Sequence, residues 1–257
     1  MKRFFNILFS LLFATGIVAL AGYIYWNHLN SPLKTTIIRI NRPHDSGFLD
    51  KKEFTKQISN ELKNKTKKIK DIDCQEIEKT IKKNPWIQEA DVFTDIEGNL
   101  IINVKEKDPL LRIFPKNNEG FYLDKDGNII PLNTKYAPRV MVANGYINTK
   151  VVNNHYNIYD TVYKNNNLRD VLYLTKTLAK YPFAEKLIGE IYINSMGEID
   201  MVPLIGTNII RLGDTCNTGK KLENMIVFYQ KALKYEGWNK YKILNLKYNN
   251  QIICTKN

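Results

Sequence analysis

Residues 87–104, Ile87-Gln88-Glu89-Ala90-Asp91-Val92-Phe93-Thr94-Asp95-Ile96-Glu97-Gly98-Asn99-Leu100-Ile101-Ile102-Asn103-Val104, read as two β-strands around a tight turn. In the first strand, Ile87 to Thr94, Ala90 and Val92 point to one face, because side chains alternate along an extended chain. In the second, Leu100 to Val104, Leu100, Ile102 and Val104 repeat that period and point inward. Glu97-Gly98-Asn99 supplies the turn between them.

Upstream of the hairpin, Asn84-Pro85 closes a helix, because the residue before a proline is pushed away from helical geometry. That helix starts at Asp73, whose side-chain oxygen accepts from the free N–H groups of the first turn, with Glu76 three residues on. The cap is a better use of Asp73 than a carboxylate pair with Asp71. Cys74, Ile77 and Ile81 form the apolar stripe. An earlier helix starts at Asp50, with Glu53 in the capping position and Phe54, Ile58 and Leu62 as its stripe. Before it, Thr35 to Ile40 is a strand of β-branched residues. The order β-α-α-β-β over residues 35–108 predicts a compact α+β unit in which two helices cover one face of a three-stranded sheet.

Asp108-Pro109 marks a seam. Residues 109–257 predict a second, β-rich domain with helices packed on an antiparallel sheet. Short strands are expected at Leu111–Phe114, Phe121–Asp124, Ile129–Pro131 and Arg139–Val142, with Lys125-Asp126-Gly127-Asn128 as a hairpin turn. A helix near Leu168–Lys180 should stop at Pro182. Three strands follow at Glu190–Asn194, Glu198–Pro203 and Asn208–Leu212. A helix near Gly219–Glu236 presents Leu222, Met225, Ile226, Tyr229 and Leu233, and Gly237 caps its C-terminus. Lys242–Tyr248 and Gln251–Cys254 end the chain.

At the other end, Phe4 to Trp26 carries no charge. At ~1.5 Å per residue that run spans a hydrocarbon core of ~30 Å. Lys2 and Arg3 precede it, which predicts a cytoplasmic tail at 1–3, a transmembrane helix at 4–26 and everything beyond outside the cytoplasm. Tyr23, Tyr25 and Trp26 stand where an interfacial aromatic belt sits. Ala19-Leu20-Ala21 also fits a signal-peptide cleavage pattern, but the apolar run is longer than a signal core and continues past it, which favours an uncleaved anchor. Residues 27–34, Asn27 to Lys34, read as a linker broken by Pro32.

The chain has 257 residues, a formal net charge of +12 and 44% apolar residues, a globular rather than disordered composition. The charge is dispersed, and no nucleic-acid-reading motif accompanies it. The densest run, Lys63, Lys65, Lys67, Lys68 and Lys70, reads as a solvated connector, with contact to anionic headgroups or acidic wall polymer as the alternative. Cys74, Cys216 and Cys254 form no CxxC pair; three small buried residues or one closed pair remain open readings. No serine lies in a nucleophile motif, and no histidine pair has metal spacing among His28, His44 and His155. His44-Asp45-Ser46 has the letters of a triad without the means of reaching its geometry. Asp124–Asn128 hints at a calcium loop, but Lys135 stands where the bidentate Glu belongs. No catalytic residue, metal site, cofactor or small-molecule substrate is expected.

Three segments carry a family resemblance. Asn84-Pro85-Trp86-Ile87 with Ala90 and Val92, then Leu100-Ile101-Ile102-Asn103-Val104-Lys105-Glu106-Lys107-Asp108-Pro109-Leu110, and Phe121-Tyr122-Leu123-Asp124 with Gly127 resemble motifs of the bacterial division proteins FtsQ/DivIB. Lys107 and Leu110 depart from the family's Arg and small residue. Ile243-Leu244-Asn245-Leu246-Lys247-Tyr248 resembles its last-strand pattern, with Asn245 and Lys247 as departures. The Lys- and Asn-rich character resembles the form found in Bacteroidetes-type bacteria. The resemblance implies that the first unit is a POTRA domain and that the chain is a non-enzymatic divisome scaffold in the cell inner membrane, with its domains in the periplasm at the septum. It implies FtsB and FtsL as partners, leading to septal peptidoglycan synthesis, and places the partner-binding surface on Ile243, Leu244, Asn245, Leu246, Lys247, Tyr248 and Gln251. A POTRA-bearing secretion or outer-membrane assembly component is the alternative reading.

Overall fold

The computed structural model describes residues 2–42, 47–63, 68–116, 119–151, 157–164, 166–248 and 250–257. His44, Asp45, Ser46, Lys65, Lys67 and His155 lie outside the described residues, as do the side chains of Lys2, Arg3, Leu62 and Lys63. The chain divides into two compact units, Met1–Glu106 and Lys107–Asn257.

The first unit opens with helix α1, Lys2–Asn30. Its stretch Phe9–Asn30 is long and apolar enough to cross a membrane. The helix runs four residues past Trp26, so the expected linker at 27–34 is shorter than its composition suggests. Nothing in Asn27–Asn30 breaks a helix, and Asn30 Nδ2 donates back to the Trp26 carbonyl at 2.9 Å; the break comes only with Pro32.

Beyond it come β1 (Thr36–Asn41), α2 (Lys51–Lys63), a 3-10 turn at Ile69–Asp71, α3 (Cys74–Lys82), β2 (Ile87–Thr94) and β3 (Leu100–Glu106). Both expected caps form: the Glu53 N–H donates to Asp50 Oδ1 at 2.9 Å and the Glu76 N–H to Asp73 Oδ1 at 3.0 Å. The sheet order is β1-β3-β2, with β1 parallel to β3 and β2 antiparallel to it. The two helices between β1 and β2 return the chain to the far side of the sheet. Ile38, Ala90, Val92, Leu100, Ile102 and Val104 share the covered face and meet Phe54, Ile58 and Ile81 of the helices. Each fully buried side chain of this size contributes ~1.5–3 kcal/mol, which holds the helices on that face.

The second unit contains β4 (Pro109–Ile113), β5 (Phe121–Asp124), β6 (Ile129–Pro131), β7 (Met141–Gly145), α4 (Leu168–Leu178), α5 (Pro182–Leu187), β8 (Ile188–Ile193), β9 (Ile199–Pro203), β10 (Ile209–Gly213), α6 (Thr218–Phe228), α7 (Lys234–Glu236), β11 (Tyr241–Asn245) and β12 (Ile253–Lys256). Its strands form one sheet, ordered β12-β11-β10-β9-β8-β7-β4-β5-β6. The expected antiparallel sheet is in fact mixed: β4 pairs with β7, β7 with β8, and β10 with β11 in parallel. Parallel neighbours need a crossover rather than a hairpin. Here α4 and α5 supply one and α6 another. Leu168, Val171 and Leu172 of α4 and Leu222 and Met225 of α6 are fully buried in the same core as Ile191, Ile210 and Leu244.

Pro182 does more than stop a helix. The first helix already ends at Leu178, and Pro182 occupies the first turn of α5, where its missing N–H costs nothing. Between α6 and α7 the helix widens into a π turn, Tyr229–Leu233. Tyr229 is buried there and donates to Asn208 Oδ1 at 2.7 Å; burial pushes its phenol up to about 12.

One turn design occurs three times among the described residues. Asp95, Asp124 and Asn194 each accept, through one side-chain oxygen, the N–H groups two and four residues ahead. A glycine follows three residues after each, with φ of +89, +80 and +80° at Gly98, Gly127 and Gly197. The donors already on Asp124 account for the run that hints at calcium. The three cysteines are free; Cys216 is exposed and Cys74 and Cys254 are half-buried, so none is the fully buried small residue expected.

Candidate partner-docking edge

β11 pairs with β10 on one side and with β12 on the other, so its backbone is engaged on both. Among the described residues β12 is the last strand of the sheet, and no strand pairs with its far side. Its four residues lie antiparallel to β11, with Ile243 opposite Thr255, Leu244 opposite Cys254 and Asn245 opposite Ile253. An open strand edge offers unpaired N–H and C=O groups to an added strand.

The residues 243–248 and 251 fall into four groups, Lys247 standing by itself. Leu244 and Leu246 are core, at 1% and 2% exposure. The Leu246 N–H donates to the Arg211 carbonyl at 2.9 Å, which ties the end of β11 to β10. Ile243 and Asn245 lie on the opposite, helix-free face, and Asn245 Oδ1 accepts the Lys247 N–H at 3.0 Å. Tyr248 and Gln251 are exposed beside the connection into β12. Leu246, Lys247 and Tyr248 therefore lie beyond the strand that the sequence pattern extends through them.

Lys247 serves inside the fold. Its stem lies across Gly213, where an added Cβ would stand 2.7 Å from Lys247 Cγ. Its ammonium reaches Glu198, in the turn between β8 and β9. That contact holds the Glu198 carboxyl below its ordinary range, and Asn194 and Arg211 act in the same direction. Next to it, Asp200 is 6% exposed and faces Arg211, whose Nε stands 3.4 Å away. Burial pushes the Asp200 carboxyl up, against the pull of Arg211. This charged row braces β9, β10 and the end of β11 on the helix-free face.

The sign of the Glu198 shift sets a pH dependence. A carboxyl with a lowered pKa in the folded state adds stability above its unfolded value of 4.5, and that stability is lost as pH falls through the folded value. Glu198→Gln should therefore melt below wild type at pH 7, and the two melting curves should converge toward pH 3. Thermal denaturation across that range reads the difference, and a gap that stays constant with pH would remove the charge explanation.

What the sequence pattern misses is the edge itself, Ile253, Thr255 and Lys256. Ile253 is 46% exposed on a strand with no outer neighbour, and Thr255 and Lys256 are exposed beside it. The β-branched pair Ile252-Ile253 before Thr255 is the available signal for a strand there. On α1, Tyr23, Tyr25 and Trp26 are exposed, like the other large apolar side chains of that helix from Phe9 on. Among the described residues, no group of three or more His, Cys, Asp or Glu is placed to hold a metal ion.

Two families match the chain. The one described as FtsQ/DivIB, C-terminal related covers residues 108–255, and the one described as POTRA-like domain covers residues 34–105. No curated protein matches it.

Proposed function

Because the chain belongs to the FtsQ/DivIB C-terminal related family, which covers more than half of it and gives it a role in cell division, we propose that it docks FtsB- and FtsL-like division proteins along the open edge of β12. The observation that carries this reading is the position of β12 at the end of the sheet, with exposed Ile253 on it and Tyr248 and Gln251 beside it. A partner segment adds a strand by backbone hydrogen bonds. Each such bond contributes only ~1 kcal/mol net. Selectivity then comes from side chains flanking the edge, chiefly Ile253 and Tyr248.

In this reading the protein is a scaffold and catalyses nothing. α1 anchors it in the cell inner membrane, with Lys2 and Arg3 on the cytoplasmic side and both units in the periplasm at the septum. The POTRA-like unit takes part in recruitment, and the second unit passes the assembly on to septal peptidoglycan synthesis. Ile243, Leu244, Asn245 and Leu246 present β12 to the partner, and Tyr248 and Gln251 touch it.

The test is binding of the full chain, in lipid nanodiscs, to the periplasmic segments of its own FtsB and FtsL. Wild type should bind, and Ile253→Lys and Tyr248→Ala should each weaken binding about tenfold or more (~1.4 kcal/mol) with the melting temperature unchanged. A folded wild-type chain that binds neither segment would sink the proposal.

A further inference from the structure

The start of β1 pairs in parallel with the start of β3, Thr36 opposite Leu100, so both strands begin at the end of the first unit where the chain arrives from α1. The turn before β3, Asp95–Asn99, lies at that same end, and the Lys34 N–H donates to the Gly98 carbonyl at 3.0 Å. The segment after α2 returns to the same place. Pro32 bridges Lys68 in antiparallel fashion, and the Ile69 N–H donates to the Ser31 carbonyl at 3.1 Å. Ile69 is 5% exposed, and its Cδ1 stands 3.5 Å from where a Gly98 Cβ would be. One backbone-bonded cluster thus joins the two residues that follow α1, the residues after α2, and the β2–β3 turn.

The height of this cluster above a bilayer follows from the helix. Trp26 ends the aromatic cluster Tyr23-Tyr25-Trp26 that reads as the interfacial belt of α1, and Ser31 lies five residues on, ~7 Å along a helix axis. The polar headgroup layer is ~5–7 Å deep on each side of the hydrocarbon. The Ser31–Ile69 hydrogen bond therefore sits at the outer limit of the headgroups, and side chains pointing back toward the helix reach into them.

Those side chains have the right chemistry. Lys34, Lys68 and Lys70 are exposed there. Ile96, at the tip of the turn, is 93% exposed. The turn itself does not ask for an apolar residue. In the two other copies of the same design, the corresponding position holds Lys125 and Ser195. Only the copy beside the membrane helix carries an isoleucine. Asp71, Asp95 and Glu97 are the carboxylates nearby; hydrogen bonds within the turn hold Asp95 and Glu97 in place without removing their charge, so the lysines meet anionic headgroups by reaching past them on long flexible stems.

We infer that this end of the first unit is a membrane-contact surface: Ile96 inserts among the headgroups while Lys34, Lys68 and Lys70 bind anionic phospholipid. The inference rests on α1 crossing the bilayer. Apolar insertion beside a basic rim is the physics of interfacial attachment, and the lysines lie well within the ~8–10 Å over which an anionic surface attracts them. The attachment sets the first unit upright or tilted on the membrane and so fixes the direction in which its sheet edges face partners.

The test uses the full chain with Cys74, Cys216 and Cys254 changed to Ser, its fold checked by circular dichroism, and a nitroxide on Ile96→Cys. The chain is reconstituted in bilayers of phosphatidylcholine with and without phosphatidylglycerol. Collision with oxygen against a water-soluble nickel chelate reads depth. The label at 96 should be shielded from nickel several-fold more than the same label on Lys125→Cys. Phosphatidylglycerol should deepen it, and reversing Lys34, Lys68 and Lys70 to Glu should release it to aqueous values. A label at 96 as accessible as at 125 on both bilayers overturns the inference, and shielding indifferent to phosphatidylglycerol and to the reversal overturns its anionic-lipid part. A label on Val18→Cys separates the premise: if it is aqueous, α1 does not span and the anchor reading fails instead. Slower amide exchange at residues 95–99 of the unsubstituted chain on phosphatidylglycerol bilayers is the expected result without any label, and unchanged exchange would count against the inference.

Discussion

Glu106→Ala should cost the first unit roughly 3–5 kcal/mol, the range for stripping one partner from a buried ion pair. Glu106 ends β3 and is 2% exposed. One carboxylate oxygen accepts from Arg42 Nε at 2.9 Å and the other from the Phe48 N–H at 2.8 Å. Arg42 also donates to the Leu49 carbonyl. The carboxylate is thus the post on which the chain between β1 and α2 is fastened, and that chain delivers Phe48 and Leu49, both buried, to the core. Phe48 lies parallel to the Trp86 ring, with centroids 6.4 Å apart. Alanine would take the acceptor from the Phe48 N–H and from Arg42 Nε and loosen this whole corner. A unit of this size has a stability of only ~4–11 kcal/mol, so much of it would be lost.

Glu106→Gln should be milder, because the amide oxygen still accepts from Phe48. Gly47→Ala should approach the alanine variant from the other side, since its Cβ would press directly into Glu106 Oε2. Hydrogen exchange of the full chain resolves the units: protection at Leu100–Val104 should fall in Glu106→Ala, while Ile191–Ile193 in the second unit keeps its protection. Equal protection of β3 in wild type and Glu106→Ala would show that the carboxylate is not the fastening.

The second large effect concerns β12. In an antiparallel strand, successive N–H groups point to opposite sides. Of Cys254 and Thr255, one N–H faces β11 and the other faces the open edge. Proline has no N–H and cannot donate. One of Cys254→Pro and Thr255→Pro should therefore weaken partner binding about tenfold or more while the chain melts as wild type does, since proline is tolerated on an outward-facing edge position. The other should lower the melting temperature by loosening the β11–β12 pair. Binding to FtsB and FtsL segments and thermal denaturation, measured together, give the answer. If both variants bind like wild type, the partner does not add to this edge.

Much of the fold is legible in the sequence where the determinant is local. The caps at Asp50 and Asp73 act on N–H groups three residues away. The three Asx-x-x-Gly turns close on themselves within five residues. The apolar helix needs nothing but its own composition. Pro182 shows where a local rule is incomplete: a proline is barred from a helix interior and welcome in a first turn, and only the chain around it decides which applies. The candidate edge was half legible. Both terminal segments, Lys242–Tyr248 and Gln251–Cys254, are visible as extended chain, yet alternation of side chains says which face a residue takes and nothing about which strand lies alongside.

Sequence by itself thus determined the long apolar helix, the two-unit order, the helix starts and the hairpin turns of this protein, because those depend on contacts a few residues long. Tertiary structure alone decided that β11 lies inside the sheet and β12 at its edge, that Lys247 reaches Glu198, and that Glu106 fastens the chain at Arg42 and Phe48. Each of these joins groups 49 to 64 residues apart or fixes the neighbour of a strand. Backbone ladders and buried charges take their partners from wherever the packed chain brings them, and no local pattern encodes that meeting.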